Sequence, residues 1–354
     1  MDRYIGLDVH ASSCTLAIVG PSGRKIGSQV VETSGRALTK ALRAIPKPRH
    51  LCFEEGTQSA WLYEVLSPHV DELIVTQPTR SRGPKSDQHD ALALAQSLRQ
   101  GTLDTIVFKA PRRFTRLRAL VRVHSFLVRD VTRAQCRVKA MFRERGIPNA
   151  GKSVYSANER ATWLRRLPTP TRAATELLFA QLDSVQQLKN NAEQDLIAEL
   201  GRHRISRILQ TCPGLGPIRT ARLMAIVVTP HRFRTARQFW SYCGFAIVMR
   251  TSADWVRKDG SWVRATMNQT RGLNPRRNPM LKDVFKGAAT MVASSQGQNE
   301  PLHQDYQRLL ESGTKPNLAK LTLARKLAAT ALAMWKNEEV YSPNKYQTPT
   351  LTPG

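Results

Sequence analysis

The first hundred residues alternate short apolar strands with amphipathic helices. Alternation of apolar and polar positions predicts strands, and apolar spacings of three and four predict helices. The predicted elements are strands Arg3–Asp8, Cys14–Val19 and Lys25–Val31, a helix Arg36–Ala44, a strand ending at Phe53-Glu54-Glu55, a helix Ser59–Leu66, a strand Glu72–Val75 and a helix from Ser86 to about Leu98. This β-β-β-α-β-α-β-α order is that of the ribonuclease-H-like fold, a mixed sheet flanked by helices. We therefore expect an α/β domain over residues 1–105, which by itself indicates no function.

The next hundred residues have the periodicity of long helices. From Arg112 to Arg145 there is neither Gly nor Pro. An apolar seam steps by three and four residues through Leu117, Leu120, His124, Leu127, Val131, Ala134, Val138 and Met141. A second periodic stretch covers about Thr171–Leu200. The pair predicts a helical, coiled-coil spacer over residues 106–203 that either dimerises or packs on itself, with His124 as a polar register residue rather than a ligand.

The last part of the chain predicts a mainly helical domain over residues 204–340. Pro213-Gly214-Leu215-Gly216-Pro217, between two apolar helical segments, is typical of a helix-hairpin-helix, in which Gly214 and Gly216 let the backbone approach a phosphate. A plain connection between two helices would use the same residues. The other predicted segments are a polar, basic loop over Arg250–Arg276, helices over Pro279–Ala293 and Asn317–Lys336, and a disordered tail over residues 341–354.

Charge is distributed unevenly along the 354 residues. The chain has 54 Lys and Arg against 27 Asp and Glu, and a net charge of +27. Residues 1–105 are nearly neutral, with 12 basic and 11 acidic side chains, so the remainder holds 42 against 16. A strongly basic body predicts a polyanionic partner, most commonly nucleic acid. An anionic membrane surface is the rival, but no short basic amphipathic anchor stands out.

Apolar runs and cysteines exclude other classes of protein. No apolar run approaches the roughly 18 residues that a membrane span needs. The five cysteines are far apart and form no C-x-x-C pair. This pattern argues against a disulfide framework and a cysteine-based zinc site, and it fits a reducing cytoplasm.

Acidic residues stand where the predicted elements of the α/β domain end or begin. They are Asp8 at the end of the first strand, Glu54 and Glu55 at the end of a later strand, and Asp87 and Asp90 on one face of a helix start. In the predicted fold these places converge at one edge of the sheet. Four carboxylates there would hold two divalent cations about 4 Å apart, as in phosphodiester chemistry. Alternatively, Asp87 only offsets the helix dipole. Motif spacing favours Glu55 over Glu54, while strand alternation leaves that choice open.

Two sets of motifs, one in each half of the chain, occur in a fixed order. The first set is Tyr4-Ile5-Gly6-Leu7-Asp8, Glu55-Gly56-Thr57 followed by Trp61, and Lys85-Ser86-Asp87-Gln88-His89-Asp90-Ala91. The second set is Pro213-Gly214-Leu215-Gly216, Phe239-Trp240-Ser241-Tyr242-Cys243-Gly244-Phe245, Thr251-Ser252-Ala253-Asp254 and Gly272-Leu273-Asn274. Together they resemble the DEDD transposases of the insertion sequence 110 family over roughly residues 1–295.

The resemblance implies a RuvC-like domain, a coiled-coil spacer and a serine-bearing transposase domain. It places Asp8, Glu55, Asp87 and Asp90 on the family's metal-binding positions, for a pair of Mg²⁺ ions. Ser252 would be the nucleophile that forms a covalent phosphoserine link to DNA. The family's partners are element and target DNA and a non-coding bridge RNA, and its members assemble from dimers into a tetramer.

The segment around the implied nucleophile differs from that of many relatives. They have a Ser-Ser-Gly-Gly run where this chain has Thr251-Ser252-Ala253-Asp254, which makes Thr251 a rival nucleophile. Asp254 either orients the loop or is only a solvated acid. Nearby, Arg250, Arg257 and Lys258 would suit phosphate contacts.

Three alternatives to transposition stay open at this point. A RuvC-like nuclease or junction resolvase would use the carboxylates alone and hydrolyse DNA. A site-specific DNA invertase would share the chemistry of the transposase. A basic nucleic-acid-binding protein would use its acidic cluster for no reaction, and its binding would be sensitive to salt.

Overall fold

The computed structural model describes residues 1–78, 86–103, 105–110, 112–148, 151–249, 255–264, 270–294 and 300–343. The chain forms two compact units, Met1–Arg113 and Phe114–Gly354. Among the described residues, no helix is both long enough and apolar enough to cross a bilayer. The predicted tail over residues 341–354 lies largely outside the described residues.

In its described residues, the first unit is a mixed five-stranded sheet with three α-helices. Its elements are β1 (Arg3–Val9), β2 (Ser13–Val19), β3 (Lys25–Glu32), α1 (Gly35–Arg43), β4 (Arg49–Glu54), α2 (Ser59–Leu66), β5 (Glu72–Thr76) and α3 (Asp87–Gln100). The strands lie in the order β3-β2-β1-β4-β5. The β1–β2 and β2–β3 pairs are antiparallel, whereas β1–β4 and β4–β5 are parallel. The predicted order of elements is confirmed.

The two faces of this sheet are covered by different helices. Leu7 and Phe53 point to the face that packs against α1 and α2, in a core shared with Leu38 and Leu62. Alternation turns the intervening residues of β1 and β4 to the other face, where Cys52 packs on Leu94 and Leu98 of α3. The helix α3 thus lies on the face that Gly6 and Asp8 share.

The second unit is mainly helical, with two short pairs of strands. Its elements are α4 (Thr115–Arg143), α5 (Arg160–Arg165), α6 (Thr169–Gly201), α7 (Arg204–Gln210), α8 (Pro217–Val227), α9 (Ala236–Cys243), β6 (Ile247–Met249), β7 (Trp255–Lys258), β8 (Ser261–Arg264), β9 (Thr270–Leu273), α10 (Pro279–Val292), α11 (Pro301–Glu311) and α12 (Pro316–Asn337). Strand β6 pairs with β9, and β7 pairs with β8. The prediction of a loop over Arg250–Arg276 was wrong for β7, β8 and β9.

The two longest helices, α4 and α6, pack on each other. The predicted hairpin therefore packs on itself, and dimerisation through it stays a prediction. The buried positions of α4 are Leu117, Val121, His124, Ala134, Val138 and Phe142. This spacing follows the ordinary helical period of 3.6 residues rather than the predicted heptad, which included Leu127 and Met141 and left out Val121 and Phe142. The helix α6 begins two residues before the predicted Thr171, and its Pro170 stands in the first turn, where proline is tolerated.

His124 is a buried titratable group between α4 and α6. Its side chain is 3% exposed, and its Nε2 lies 3.5 Å from an Oε2 of Glu193. Burial is the main cause that lowers the pKa of this imidazole below 6.5, and Arg222 and Lys189 lower it further against the opposing effect of Glu193. The imidazole is therefore neutral in the folded protein at neutral pH.

Stability is expected to fall as the pH drops below 6.5, because the unfolded chain then protonates His124 more readily than the folded one. Thermal unfolding at pH 5.5 and 7.5 tests this, since His124→Leu should reduce the difference in Tm between the two conditions. Lys189 lowers the pKa of Glu193, so that carboxylate titrates outside this window. The matched control, exposed His231→Leu, should keep the wild-type difference. An undiminished difference in His124→Leu would contradict the assignment.

Candidate functional site

A polar cleft of about 230 Å³ opens at the carboxyl end of β1 and β4. It is lined by Asp8, Val9, His10, Ala11, Glu54, Glu55, Gly56, Thr57, Gln58, Ser59 and Leu62. The carboxyl ends of adjacent parallel strands lie at the same edge of a sheet, which brings Asp8 of β1, Glu54 of β4 and the next residue, Glu55, into one cleft.

Three side chains of types that can bind a metal ion meet beside this cleft. The Nε2 of His10 lies 3.0 Å from an Oδ2 of Asp8 and 3.3 Å from an Oδ1 of Asp87. One ligand atom from each of the three side chains lies within 4.8 Å of the others. The structure thus brings Asp8 and Asp87 together, as the sequence predicted, and adds a histidine that the sequence analysis did not select.

Local backbone structure fixes each member of this group. Asp8 belongs to β1, between two paired strands. The amide of His10 donates to the carbonyl of Ser13 at 3.0 Å, and the hydroxyl of Thr33 donates to the carbonyl of His10 at 3.0 Å. Asp87 is the first residue of α3, directly after the N-cap Ser86. The side chains therefore start from three anchored segments.

Asp90 lies one helical turn after Asp87. Residues three apart share a helix face, so Asp90 lies on the side of α3 that Asp87 presents. Asp90 is half-buried, whereas Asp87 is exposed. Asp90 is not part of the close group of ligand atoms, and its role as a metal ligand stays a prediction.

The strand register bears on the choice between Glu54 and Glu55. The parallel pair of β1 and β4 matches Leu7 with Phe53, so the next residues along the two strands are Asp8 and Glu54. Matched residues of parallel strands point to the same face. Burial first, and the charge of Glu54 second, raise the pKa of the Cys52 thiol to about 12, which agrees with Glu54 and Cys52 sharing that face. Glu54 thus lies on the face of Asp8 and α3.

Glu55 has a different environment. Its amide donates to the carbonyl of Thr76 at 2.7 Å, and its carboxylate is paired with the ammonium group of Lys109. Lys109 has a side chain that is 9% exposed, and it also donates to the hydroxyl of Ser59 at 2.9 Å. The negative charge of Glu55 is therefore partly compensated by a buried cation. Lys109 is a second residue beside the site that sequence reasoning missed.

In the second unit, part of the predicted site lies outside the described residues. Ser252, Arg250 and the neighbouring Asp254 are in that part, as is the side chain of Lys258. Arg257 is described and lies exposed on β7, in register with Trp262 of β8.

The β7–β8 hairpin is an exposed ribbon that begins three residues after Ser252. Its turn, Asp259-Gly260, has both residues at positive φ, 51° and 79°, as in the two-residue turns that match strand twist. Trp255, Arg257 and Trp262 share one face of the ribbon by alternation and register. The two indoles are 57% and 68% exposed, so this face offers aromatic surface and a cation to a partner.

The two glycines of the helix-hairpin-helix-like motif differ in their surroundings. Gly214 has a φ of 77°, and a Cβ on it would come 2.7 Å from the carbonyl oxygen of Ala288, so its absence of a side chain permits close packing on α10. Gly216, the N-cap of α8, has open space at that position and lines a cleft of about 340 Å³ with Arg219 and Arg222. Gly216 is thus the better placed of the two for a phosphate.

Comparison with protein families gives two matches in chain order. Residues 5–145 match a DEDD family of IS110 type described as a transposase. Residues 206–307 match a family described as the transposase IS116/IS110/IS902 family. No curated protein matches the chain. The first match includes all the acidic residues of the cleft, and the second includes the helix-hairpin-helix-like motif and the segment around Ser252.

Proposed function

Because this chain belongs to the IS110 family of transposases, we propose that it cuts and rejoins DNA strands through a phosphoserine formed on Ser252. The observation that carries the proposal is the meeting of Asp8 and Asp87 at one end of the sheet, in a chain whose halves match the two transposase families in order. The family matches support DNA transposase or recombinase activity. The covalent serine step is the finer part that we add.

We assign the first unit to a RuvC-like catalytic domain. Its mixed sheet, with two antiparallel and two parallel pairs, is consistent with that fold. The remaining boundaries, a helical spacer over 106–203 and a serine-bearing domain over 204–340, belong to the same proposal.

The donor set of the cleft fits divalent cations. Carboxylate oxygens are the ligands that hard divalent cations prefer, and DEDD transposase domains are typically metal-dependent. The residues that would hold the ions are Asp8, Asp87, Asp90 and one of the two adjacent glutamates. A bound pair, for which we propose Mg²⁺, would neutralise charge on the phosphate and acidify a hydroxyl.

The number of phosphoester bonds does not change in this reaction, so it needs no outside energy source. The hydroxyl oxygen of Ser252 forms one bond to phosphorus while one strand P–O bond breaks, and the proton of Ser252 leaves as the departing strand oxygen gains one. A strand hydroxyl then reverses the exchange on a new partner. Each step makes one phosphoester bond for each one it breaks, so joining needs no nucleotide cofactor.

Arg257 and the two tryptophans of the ribbon support a DNA contact next to Ser252. Indoles stack on bases without regard to sequence, and arginine binds phosphate. Arg250, Lys258 and the backbone at Gly214 and Gly216 are the other proposed contacts. The excess of 42 basic over 16 acidic residues after residue 105 supports a nucleic-acid partner for the second unit.

The bridge RNA, the dimer or tetramer and the cytoplasmic location are proposed from the family resemblance and the sequence. Apolar side chains on the outside of the α4–α6 hairpin support self-association, since Val123, Phe126 and Leu188 are each about half exposed (47%, 48% and 54%).

Two single variants separate the neighbouring glutamates. Glu54→Gln should lower metal-dependent cleavage by about two orders of magnitude, because it removes a carboxylate from the face of Asp8. Glu55→Gln should lower the free energy of unfolding by about 1–3 kcal/mol, because the ammonium group of Lys109 then lies buried without a charged partner, and should leave cleavage within about tenfold. The double variant Glu55→Gln/Lys109→Met should recover most of that stability. If Glu55→Gln lowers cleavage strongly and Glu54→Gln does not, the metal ligand is Glu55, which motif spacing favoured.

A joining assay tests the proposed function. The protein is incubated with the non-coding RNA that flanks its gene, labelled donor and target DNA, and Mg²⁺. We expect joined DNA from the wild type, from Thr251→Ala and from Ser261→Ala, a serine of the neighbouring ribbon, and none from Ser252→Ala. Cleaved but unjoined DNA that is unaffected by Ser252→Ala would indicate a hydrolytic nuclease. Salt-sensitive binding without strand breakage would indicate a binding protein.

A further inference from the structure

His10 is the unexpected member of the group beside the cleft. A single ring atom, Nε2, contacts carboxylate oxygens of both Asp8 and Asp87, at 3.0 and 3.3 Å. The 3.0 Å contact to Asp8 is a hydrogen bond, and one N–H donates in full to only one of the two carboxylates. A cation between the three atoms would compensate both carboxylate charges.

The spacing of these atoms is that of neighbouring ligands around one ion. In octahedral coordination at about 2.1 Å, adjacent ligand atoms lie roughly 3.0 Å apart and opposite ones roughly 4.2 Å apart. Two of the three separations are 3.0 and 3.3 Å, and all three are within 4.8 Å. A small shift of the side chains would let an ion enter between them.

The backbone around His10 is held in place from two sides. The amide of His10 and the carbonyl of Ser13 close the β1–β2 turn, and Thr33 binds this turn twice, through its hydroxyl to the carbonyl of His10 and through its amide to the carbonyl of Ser12, each at 3.0 Å. His10 follows directly after β1, and its Nε2 lies 3.0 Å from an Oδ2 of Asp8. A fixed turn orients the imidazole towards the carboxylates.

We propose that His10 is a metal ligand, which with Asp8 and Asp87 holds one of the two ions of the reaction. The inference rests on the proposed function and refines it. Imidazole suits first-row transition metals, whereas Mg²⁺ prefers oxygen ligands and keeps its water. A nitrogen ligand at this position would therefore strengthen the binding of a first-row transition ion relative to Mg²⁺, and Mn²⁺, which the carboxylates also accept, serves as the probe.

Mn²⁺ bound to the full-length protein is a direct probe of this ligand. Pulsed electron paramagnetic resonance detects the ¹⁴N of a coordinated imidazole independently of activity. We expect ¹⁴N modulation in the wild type and its loss in His10→Gln, with a Kd for Mn²⁺ raised about tenfold. The matched control is His89→Gln, an exposed histidine in the first turn of α3, which should keep the signal. Mg²⁺ should displace Mn²⁺ more readily from His10→Gln than from the wild type.

The outcomes separate this inference from the proposed function. Mn²⁺ that binds the wild type and is lost in Asp8→Asn, but shows no ¹⁴N modulation, would overturn the histidine ligand and leave the carboxylate site standing. Modulation that survives in His10→Gln would likewise overturn the histidine ligand and leave the carboxylate site standing. Equal, negligible Mn²⁺ binding by the wild type and by Asp8→Asn would instead remove the metal site on which both rest. Circular dichroism of each variant confirms that the chain is folded.

Discussion

Asp8→Asn is expected to lower metal-dependent DNA cleavage by roughly three orders of magnitude. The substitution removes the charge of the carboxylate at the end of β1. One oxygen of this carboxylate lies 3.0 Å from the Nε2 of His10, and a carboxylate oxygen of Asp87 lies within 4.8 Å of a ligand atom of Asp8. Metal ions contribute several kcal/mol to transition-state stabilisation, and each 1.4 kcal/mol or so changes a rate tenfold. The measurement is the initial rate of cleavage of labelled DNA at saturating metal.

Asp2→Asn is the matched control for that experiment. Asp2 directly precedes β1 at its opposite end, where it pairs with His50 at 3.4 Å, so the same change of charge is made away from the cleft. Cleavage by Asp2→Asn should stay within about twofold of the wild type, since a surface pair contributes little. A similar rate in both variants would contradict the assignment of Asp8.

Gly6→Val should unfold the first unit or separate α3 from the sheet. A Cβ at Gly6 would collide with the carbonyl oxygen of Ala91 and lie 2.6 Å from the amide nitrogen of Ala95, both in the backbone of α3. Backbone cannot move aside as a flexible side chain does, so we expect a loss of about 3 kcal/mol or more in the free energy of unfolding. Displaced α3 would also carry Asp87 away from Asp8, and cleavage would be lost.

Urea unfolding with Gly27→Val as control checks this prediction. Gly27 is a glycine of β3 with room for a side chain, since the nearest atom to an added Cβ is a methyl carbon of Ile18 at 3.9 Å. The control should change the midpoint little, or raise it, because valine favours strands. Equal midpoints for the two variants would show that α3 does not depend on close approach at Gly6.

Much of the first unit followed from local sequence patterns. Each strand and helix was predicted within a few residues, because period-two and period-3.6 patterns are set by which face is buried. The position of Asp8 at the end of a strand followed from the same pattern. That Asp8 and Asp87 lie close together could be predicted only through the fold, which the order of elements indicated.

What the sequence left open depended on pairing between distant residues. The relation of Glu54 to Asp8 is a matter of strand register, which no local pattern contains, and a shift of one residue would exchange the faces of Glu54 and Glu55. Lys109 reaches Glu55 across 54 residues of chain. His10 did carry a local signal, its spacing of two from Asp8, but it was not selected from the sequence.

The second unit shows how a basic composition can hide strands. The stretch after Ser252 was predicted to be a loop because it is polar and basic. Its Asp259-Gly260 pair is nevertheless a strong hairpin signal, and Trp255 and Trp262 favour strands on either side. For α4, the assumption of a heptad predicted Met141 in the seam where the structure buries Phe142.

The covalent link to Ser252 is the central claim, and a denaturing protein gel tests it most directly. The wild type, Ser252→Ala, Ser261→Ala and Asp87→Ala are incubated with the flanking non-coding RNA, end-labelled donor DNA and Mg²⁺ or Mn²⁺, and are then denatured. The account predicts a labelled band that migrates with the protein in the wild type and Ser261→Ala and is absent from both Ser252→Ala and Asp87→Ala. Free cleaved DNA without that band, in equal amounts from the wild type and Ser252→Ala, would contradict the covalent serine and indicate hydrolysis by the carboxylates alone.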